Sequence, residues 1–375
     1  MHTLVCNIIS SVREDDSPEY VIRSETFTAK LLFAEEVSLF FLQTAYKEDK
    51  MFLINVLILV IGFIALIKGA DFFVDGSAAL AKNFRVPGLI IGLTIVALGT
   101  SAPEFAVSTS AALQGSNEIA LSNVVGSNIF NLLCVLGVCA FIHPVPVDKG
   151  ILRRDFPVSI LSTIFVLIAT STTTIFTGHL FVIGMEEDAG SVSRVTGAIL
   201  VALFISYICY LIYDAKKHPE KEDETKNQPV WECLLLIVIG LMLIVGGGQA
   251  VVYSAKNIAR FVGMTETLIG LTIVAVGTSL PELVTSIVAA RKGETGLAVG
   301  NVIGSNIFNL MFILGLSAVI HPVTVNLASV YDMAILTVVS VLIFFFSLTS
   351  KTIKRAEGII MLAIYIANVA FAIIR

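Results

Sequence analysis

Residues 92–112 read GLTIVALGTSAPEFAVSTSAA, and residues 270–290 read GLTIVAVGTSLPELVTSIVAA. A second shared phrase follows each: NVVGSNIFNLL at 123–133 and NVIGSNIFNLM at 301–311. The offset is 178 residues throughout, and about 33 of the 56 positions in 92–147 match their partners without a gap. Each copy sets one carboxylate, Glu104 or Glu282, inside an otherwise apolar stretch. A carboxylate at membrane depth costs roughly 3 kcal/mol on insertion scales and more in simulations, so it reads first as an ion site. Packing alone can repeat a helix pattern. Repeating a costly charge with its polar neighbours points to one cation held between two half-proteins.

The rest of the chain supplies the membrane around those phrases. Of 375 residues, 56% are hydrophobic and 14% charged, with a mean hydropathy of +0.90. A water-soluble core cannot hide that much apolar surface, whereas about 20 apolar residues per helix suit a bilayer. The net charge of -5 decides nothing. Four of the five cysteines (Cys134, Cys139, Cys209, Cys233) lie in or beside apolar segments without a CxxC pair, and read as small packing residues. No basic patch speaks for nucleic acid.

Residues 1–50 differ from the rest: polar, acidic, and without the basic start, apolar run and cleavage site of a signal peptide. The preferred reading is an N-terminal extension upstream of a start at Met51; a genuine tail with an amphipathic segment is the other. From Met51 ten spans are expected, at 52–81, 86–113, 118–142, 156–172, 195–213, 230–259, 264–290, 296–320, 329–350 and 356–374. The charged stretch DAKKHPEKEDETKNQ at 214–228 divides them five and five. The expected organisation is an extension (1–50), a first five-helix repeat (51–213), a linker (214–229) and a second repeat (230–375). Five is odd, so the second half enters the membrane from the opposite side. The fold class is an all-α membrane protein of about ten transmembrane helices in two inverted five-helix repeats.

Basic residues agree with that count. One set of alternate loops carries Lys82 and Arg85; Lys149, Arg153 and Arg154; Lys216, Lys217, Lys221 and Lys226; Arg291 and Lys292; and Lys351, Lys354 and Arg355. The other holds only Arg194, Lys256 and Arg260, with Arg375 at the end. The positive-inside rule places the linker in the cytoplasm and both ends of the 51–375 unit outside, in a plasma or cell inner membrane.

Pro103 cannot donate to the carbonyl of Gly99 and clashes with it, so the helix bends there and carbonyls near 97–100 are freed beside Glu104. Ala97, Ser101, Glu104 and Ser108 share a helical face, and Ala275, Thr278, Ser279 and Glu282 surround Pro281 in the second copy. Asn123, Ser127 and Asn131, and Asn301, Ser305 and Asn309, are spaced by four and line one stripe each, with Gly126 and Gly304 allowing close approach. These donors are all oxygen, a set suited to calcium or sodium and poor for zinc or copper. Two carboxylates balance one divalent ion. With the ion gone they face each other in low dielectric, so an empty carrier reorients poorly and the expected process is exchange.

The paired GTSxPE and GSNIFN motifs closely resemble the two alpha repeats of the cation/calcium exchanger superfamily, nearest to prokaryotic sodium/calcium exchangers related to the potassium-dependent ones. The resemblance covers essentially all of 51–375. It implies a ten-helix antiporter, not an enzyme, with four ion sites near the midplane, transported Ca2+ and Na+, and no cofactor. Carried over by motif, the ligands are Ala97 (carbonyl), Thr100, Ser101, Glu104, Ser127 and Asn131, and Ala275 (carbonyl), Thr278, Ser279, Glu282, Ser305 and Asn309. Members often carry an acid at the position of Asn309. Both copies here end in Asn, so the resemblance does not fix stoichiometry or a role for potassium.

Proton/calcium antiport is the alternative within transporters. A cation channel needs a continuous polar pore where the sequence shows a compact cluster, and an intramembrane hydrolase needs a base that is absent beside Glu104. Elsewhere, Asn123 and Asn301 are balanced between ligands and partners of backbone groups. Asp71 and Asp75, whose repeat partners are Gln249 and Tyr253, read as structural pairing or a vestibule. His143 and His321 read as helix caps, and Phe344-Phe345-Phe346 as lipid-facing surface. Composition leaves the oligomeric state open.

Overall fold

In this computed structural model, residues 18–115, 117–177, 188–217, 228–264, 273 and 275–374 are described. The chain falls into two compact units, Met1–Leu57 and Ile58–Arg375. Of the first, residues 18–57 are helical. The second carries both copies of the repeat, and its first span is residues 58–84, the last part of helix Pro18–Phe84.

The second span runs as Gly88–Ile91, a π-helix Gly92–Val96, Ala97–Thr100 and Ala102–Leu113. The third is Asn117–Phe130, a π-helix Asn131–Val135 and Leu136–Ile142. A π-helix Ile151–Asp155 opens the fourth, Phe156–Thr177. The fifth and sixth are Arg194–Lys217 and Val230–Phe261. The seventh is seen as Ala275–Thr278 and Leu280–Arg291. The eighth repeats the third: Thr295–Ile307, a π-helix Phe308–Ile313 and Leu314–Ile320. Leu327–Ser350 and Arg355–Ile374 complete the ten. Among the described residues, seven helices have the length and hydropathy to cross a membrane, and the bent second span makes an eighth. Of the other two expected spans, 156–172 lies within the fourth helix, and part of 264–290 (265–272 and 274) lies outside the described residues.

Glycine contacts show how the halves are related. A Cβ on Gly62 would lie 3.0 Å from the Gly247 carbonyl oxygen, one on Gly69 2.8 Å from that of Gly240, and one on Gly76 2.8 Å from that of Cys233. The contact advances along the first span as it retreats along the sixth, so the two helices are antiparallel. The offset of 178 turns Gly62 into Gly240 and Gly69 into Gly247, so each contact is the image of the other. Equivalent helices that meet antiparallel are exchanged by a two-fold axis perpendicular to both, lying in the membrane plane. Three close approaches thus define an inverted repeat. The third span against the tenth, through Gly137 and Gly358, likewise mirrors the eighth against the fifth, through Gly315 and Gly197.

Two short antiparallel ladders tie loops together. β1 (Val145–Pro146), between the third and fourth spans, pairs with β4 (Thr352–Ile353), between the ninth and tenth. β2 (Asp188–Val192), between the fourth and fifth, pairs with β3 (Val323–Asn326), between the eighth and ninth. In each pair an even number of crossings separates the loops, so both partners lie on one side of the membrane, as the ten-span count requires.

The outer surface suits lipid. Leu161, Trp231, Val338 and Ile366 each keep 64–69% of their surface exposed. In water such a coat would drive aggregation; in hydrocarbon it is at home. The phenylalanine run behaves differently from its expectation. Only Phe345 is exposed; Phe344 and Phe346 pack against the core, with the Phe344 ring 5.8 Å from that of Phe156. Three successive helical residues span about 200° of the helix surface, so one lipid-facing residue turns its neighbours partly inward.

Candidate cation site

The second span bends by 51° where Ala97–Thr100 meets Ala102–Leu113. Ser101 sits at the joint with φ -82 and ψ 10, and Ser279 repeats it with φ -93 and ψ 9. Pro103 and Pro281 stand in the first turn of the resumed helices, where no N–H is needed. A serine at such a position ordinarily caps the helix with its hydroxyl. Neither does so here. Ser101 Oγ instead donates to Glu282 Oε1 at 2.7 Å, and Ser279 Oγ donates to Glu104 Oε1 at 2.9 Å. Each half gives up a helix cap to hold the other half's carboxylate, a local rule broken where function is expected.

Glu104 and Glu282 are fully buried in the first turn of their helices, and the two charges repel one another. The positive helix end favours each by about 0.3–1 kcal/mol. That is too little against a burial cost of several kcal/mol per charge. Glu104 Oε1 also accepts from Ser127 Oγ at 3.2 Å, and Ser127 and Ser279 hydroxyls lie 2.8 Å apart. The other oxygen of each carboxylate, Oε2, is buried without a hydrogen-bond partner. So are Asn131 Oδ1, Asn309 Oδ1 and Ser305 Oγ. All five belong to the repeated motifs. Five further buried hydroxyls, of Ser77, Thr109, Ser171, Thr285 and Ser317, are also unmet, so the count alone marks no site. The four carboxylate and carboxamide oxygens are the strong acceptors of the set, and that chemistry suits an oxygen-binding cation.

Asn123 and Asn301 act as braces. Asn123 Nδ2 donates to the Glu104 carbonyl at 3.3 Å and to Ser108 Oγ at 2.9 Å; Asn301 Nδ2 does the same to Glu282 at 3.4 Å and Ser286 at 2.9 Å. Asn301 Oδ1 is taken by the Thr100 hydroxyl at 3.0 Å. The Ala97 carbonyl, expected to be free, accepts from the Ser101 amide at 3.1 Å, because the chain keeps its helical bond up to the joint itself. The Thr100 hydroxyl also lies 3.5 Å from it. Thr278 is half-buried, and Ala275 opens its short helix with its side chain outside the described set. Gly304 does allow close approach: a Cβ there would lie 2.7 Å from Leu93 Cα. Gly126 has no described atom within 4 Å of its Cβ position, and residue 271, the repeat image of Leu93, lies outside the described residues.

Sequence reading missed two features. Asn131 opens one π-helix and Asn309 lies in another; such widened turns recur at functional sites and carry no periodicity signal. Asn128 and Asn306, unassigned within GSNIFN, are buried and join the halves: Asn128 Nδ2 donates to the Asn306 carbonyl at 3.1 Å, and Asn306 Nδ2 to the Asn128 carbonyl at 3.3 Å. Their exact repetition at the same offset was the available signal.

A profile of the family described as "Sodium/calcium exchanger protein" matches residues 54–213 and 233–374. The chain belongs to the sodium/calcium exchanger family. It is 32% identical over 342 residues to "Sodium/calcium exchanger MaX1" of Methanosarcina acetivorans, covering 84% of this chain and 98% of that protein. It is 33% identical over 298 residues to "Inner membrane protein YrbG" of Escherichia coli, covering 76% and 86%. A solved structure of the sodium-calcium exchanger NCX_Mj, soaked with 10 mM Na+ and zero Ca2+, superposes with a TM-score of 0.72 at 33% identity, over 85% of this chain and 99% of that one. The exchanger fold and its membrane setting are therefore those of this chain. The family is one of transporters, and a site built of buried oxygens fits it.

Other charged groups are paired outside the site. Lys292 Nζ lies 2.7 Å from Asp75 Oδ1 and 3.4 Å from Asp71 Oδ1, which chooses structural pairing for the two aspartates. His143 and His321 end their helices, each amide donating to the fourth carbonyl back at 2.9 Å.

Proposed function

We propose that this protein exchanges calcium for sodium across a cell membrane by alternating access, through a site in which Glu104 and Glu282 carry the charge. One observation supports the reading most strongly: the two fully buried carboxylates, each with one oxygen held by the opposite half and the other unmet. Two such charges balance one calcium ion or two sodium ions, with the neutral oxygens completing the coordination. The remaining ligands are Ala97, Thr100, Ser101, Ser127 and Asn131, and Ala275, Thr278, Ser279, Ser305 and Asn309. Full burial favours a carrier, which must close around its ion, over a channel, which must open past it. The names of MaX1 and NCX_Mj support the choice of sodium and calcium. The basic loops support a plasma or inner membrane with 214–228 in the cytoplasm.

Labelled-calcium counterflow in proteoliposomes tests this, with sodium and proton gradients imposed separately. Uptake is expected against an outward sodium gradient at equal pH. Uptake driven by a proton gradient alone would replace sodium with protons as the coupling ion. Downhill leak with no counter-ion would make it a channel.

A further inference from the structure

The asparagines at 128 and 306 have a task beyond joining the halves, and it rests on the cation-site reading above. Asn309 Nδ2 donates to Asn128 Oδ1 at 3.1 Å, and Asn131 Nδ2 donates to Asn306 Oδ1 at 3.2 Å. Asn309 Nδ2 also lies 3.5 Å from Ser127 Oγ. The oxygens left over, Asn309 Oδ1 and Asn131 Oδ1, are among the unmet ones.

A carboxamide has two ends of nearly equal shape and opposite polarity. An asparagine beside a cation is useful only with its oxygen forward; turned over, it offers two N–H groups to a positive charge. Nothing in the side chain chooses. The choice is made two bonds away, at groups that cannot turn over. The Asn306 and Asn128 carbonyls are backbone acceptors, so each facing side chain must present Nδ2 to them. That leaves Oδ1 of Asn128 and Asn306 pointing back. Each can be met only by a donor, which turns Nδ2 of Asn309 and Asn131 away from the site and brings their oxygens forward. Reversing either outer amide would set oxygen against oxygen at about 3 Å in a dry interior.

We infer that Asn128 and Asn306 are positioning residues that fix the amide orientation of Asn309 and Asn131, so that both present oxygen to the transported cation. Each half thereby sets a ligand of the other. Both ligands are neutral amides and need the arrangement: a carboxylate has an oxygen at both ends and needs no such help.

Calcium titration of purified full-length protein tests this, with Asn128→Ala, Asn309→Ala and the double variant, each checked for a monodisperse profile. Loss of an outer-sphere partner weakens metal binding on the order of tenfold, and that is the expected effect of Asn128→Ala. The double variant should bind within about twofold of Asn309→Ala, because no amide is left to orient; groups acting through one another are not additive. Losses that multiply, or an unchanged affinity in Asn128→Ala, would overturn the inference. If Asn309→Ala binds too weakly to measure, Asn309→Asp takes its place, and Asn128→Ala should then leave binding equal or tighter, because it removes the oxygen that faces the new carboxylate. Asn306→Ala with Asn131→Ala repeats the test in the other half. Failure of both brace variants to give monodisperse protein would also overturn it, in favour of a purely structural joint. Glu104→Gln separates the two levels. If that variant binds calcium normally, the site reading fails; if it loses binding while brace losses multiply, only the orienting role of Asn128 and Asn306 fails.

Discussion

Asp155 and Glu104 are equally hidden, both with 0% of their surface exposed, yet they are opposites. Both oxygens of Asp155 are met. Oδ1 takes Arg154 Nε at 2.6 Å and the Tyr207 hydroxyl at 2.9 Å, and Oδ2 takes Arg154 Nη2 at 3.2 Å. Arg154 continues to Asp214 at 2.6 Å, so the fourth and fifth spans are stapled by a closed set of charges. Among the described residues, Glu104 is hydrogen-bonded by serine hydroxyls and by no cationic side chain, and one oxygen is unmet. Burial alone does not mark an ion site. A buried carboxylate with no cationic partner among the described residues is what the proposed exchange requires, since its counter-charge would then be the transported ion.

The largest contrast comes from neutralising each acid. Glu104→Gln or Glu282→Gln should abolish calcium exchange in proteoliposomes while the protein stays monodisperse. Wild-type-like flux in either would break the two-carboxylate site. Asp155→Asn should do the reverse. Breaking a buried pair costs about 3–5 kcal/mol, and Arg154 keeps Asp214, so a loss near 3 kcal/mol is expected as a lower melting temperature in detergent. Flux per folded molecule should hold within about twofold. A transport defect at full stability would put Asp155 on the ion path and erase the distinction.

Ser101→Ala and Ser279→Ala sharpen the comparison within the site. A hydrogen bond to a charged group is worth about 1.5–3 kcal/mol, so each should raise the calcium KM by roughly tenfold or more. Ser101→Ala should have the larger effect, because Glu104 keeps Ser127 when Ser279 is lost, whereas Ser101 is the hydroxyl that holds Glu282 Oε1. A larger effect from Ser279→Ala would show that Ser127 does not share the load on Glu104. The smallest expected change concerns Asn309. With a neutral ligand there, calcium flux should not require potassium, and Asn309→Asp should change the sodium coupling or create a potassium response. Flux measured with and without potassium for both proteins decides it. Strict potassium dependence of the unaltered protein would remove Asn309 as the determinant.

Much of this was legible in the amino-acid order because the repeat made it so. Glu104 stands out once Glu282 copies it, and Pro103 announces the bend by chemistry that any helix obeys. The braces were harder. Asn128 follows Ser127 by one residue, about 100° around the helix, so a search along the stripe 123, 127, 131 steps over it. The π-helices at Asn131 and Asn309 change hydrogen bonding without changing composition, and no apolar period reports them. The Ala97 carbonyl was expected free because Pro103 removes a donor, yet the Ser101 amide meets it. A lost bond at one residue does not say which carbonyl goes without.

The antiparallel meeting of Gly62 with Gly247 and Gly69 with Gly240 has a bearing on direction. A body with an in-plane two-fold axis looks the same after being turned upside down. If opening to one side is a shape this fold can take, the shape opening to the other side is that same one with the halves exchanged, at nearly the same free energy. Neither face is then the favoured resting side. Which ion rises and which falls is left to the concentrations and voltage on either face. Any bias must come from the places where the copies part company, such as Ala102 against Leu280 or Phe105 against Leu283.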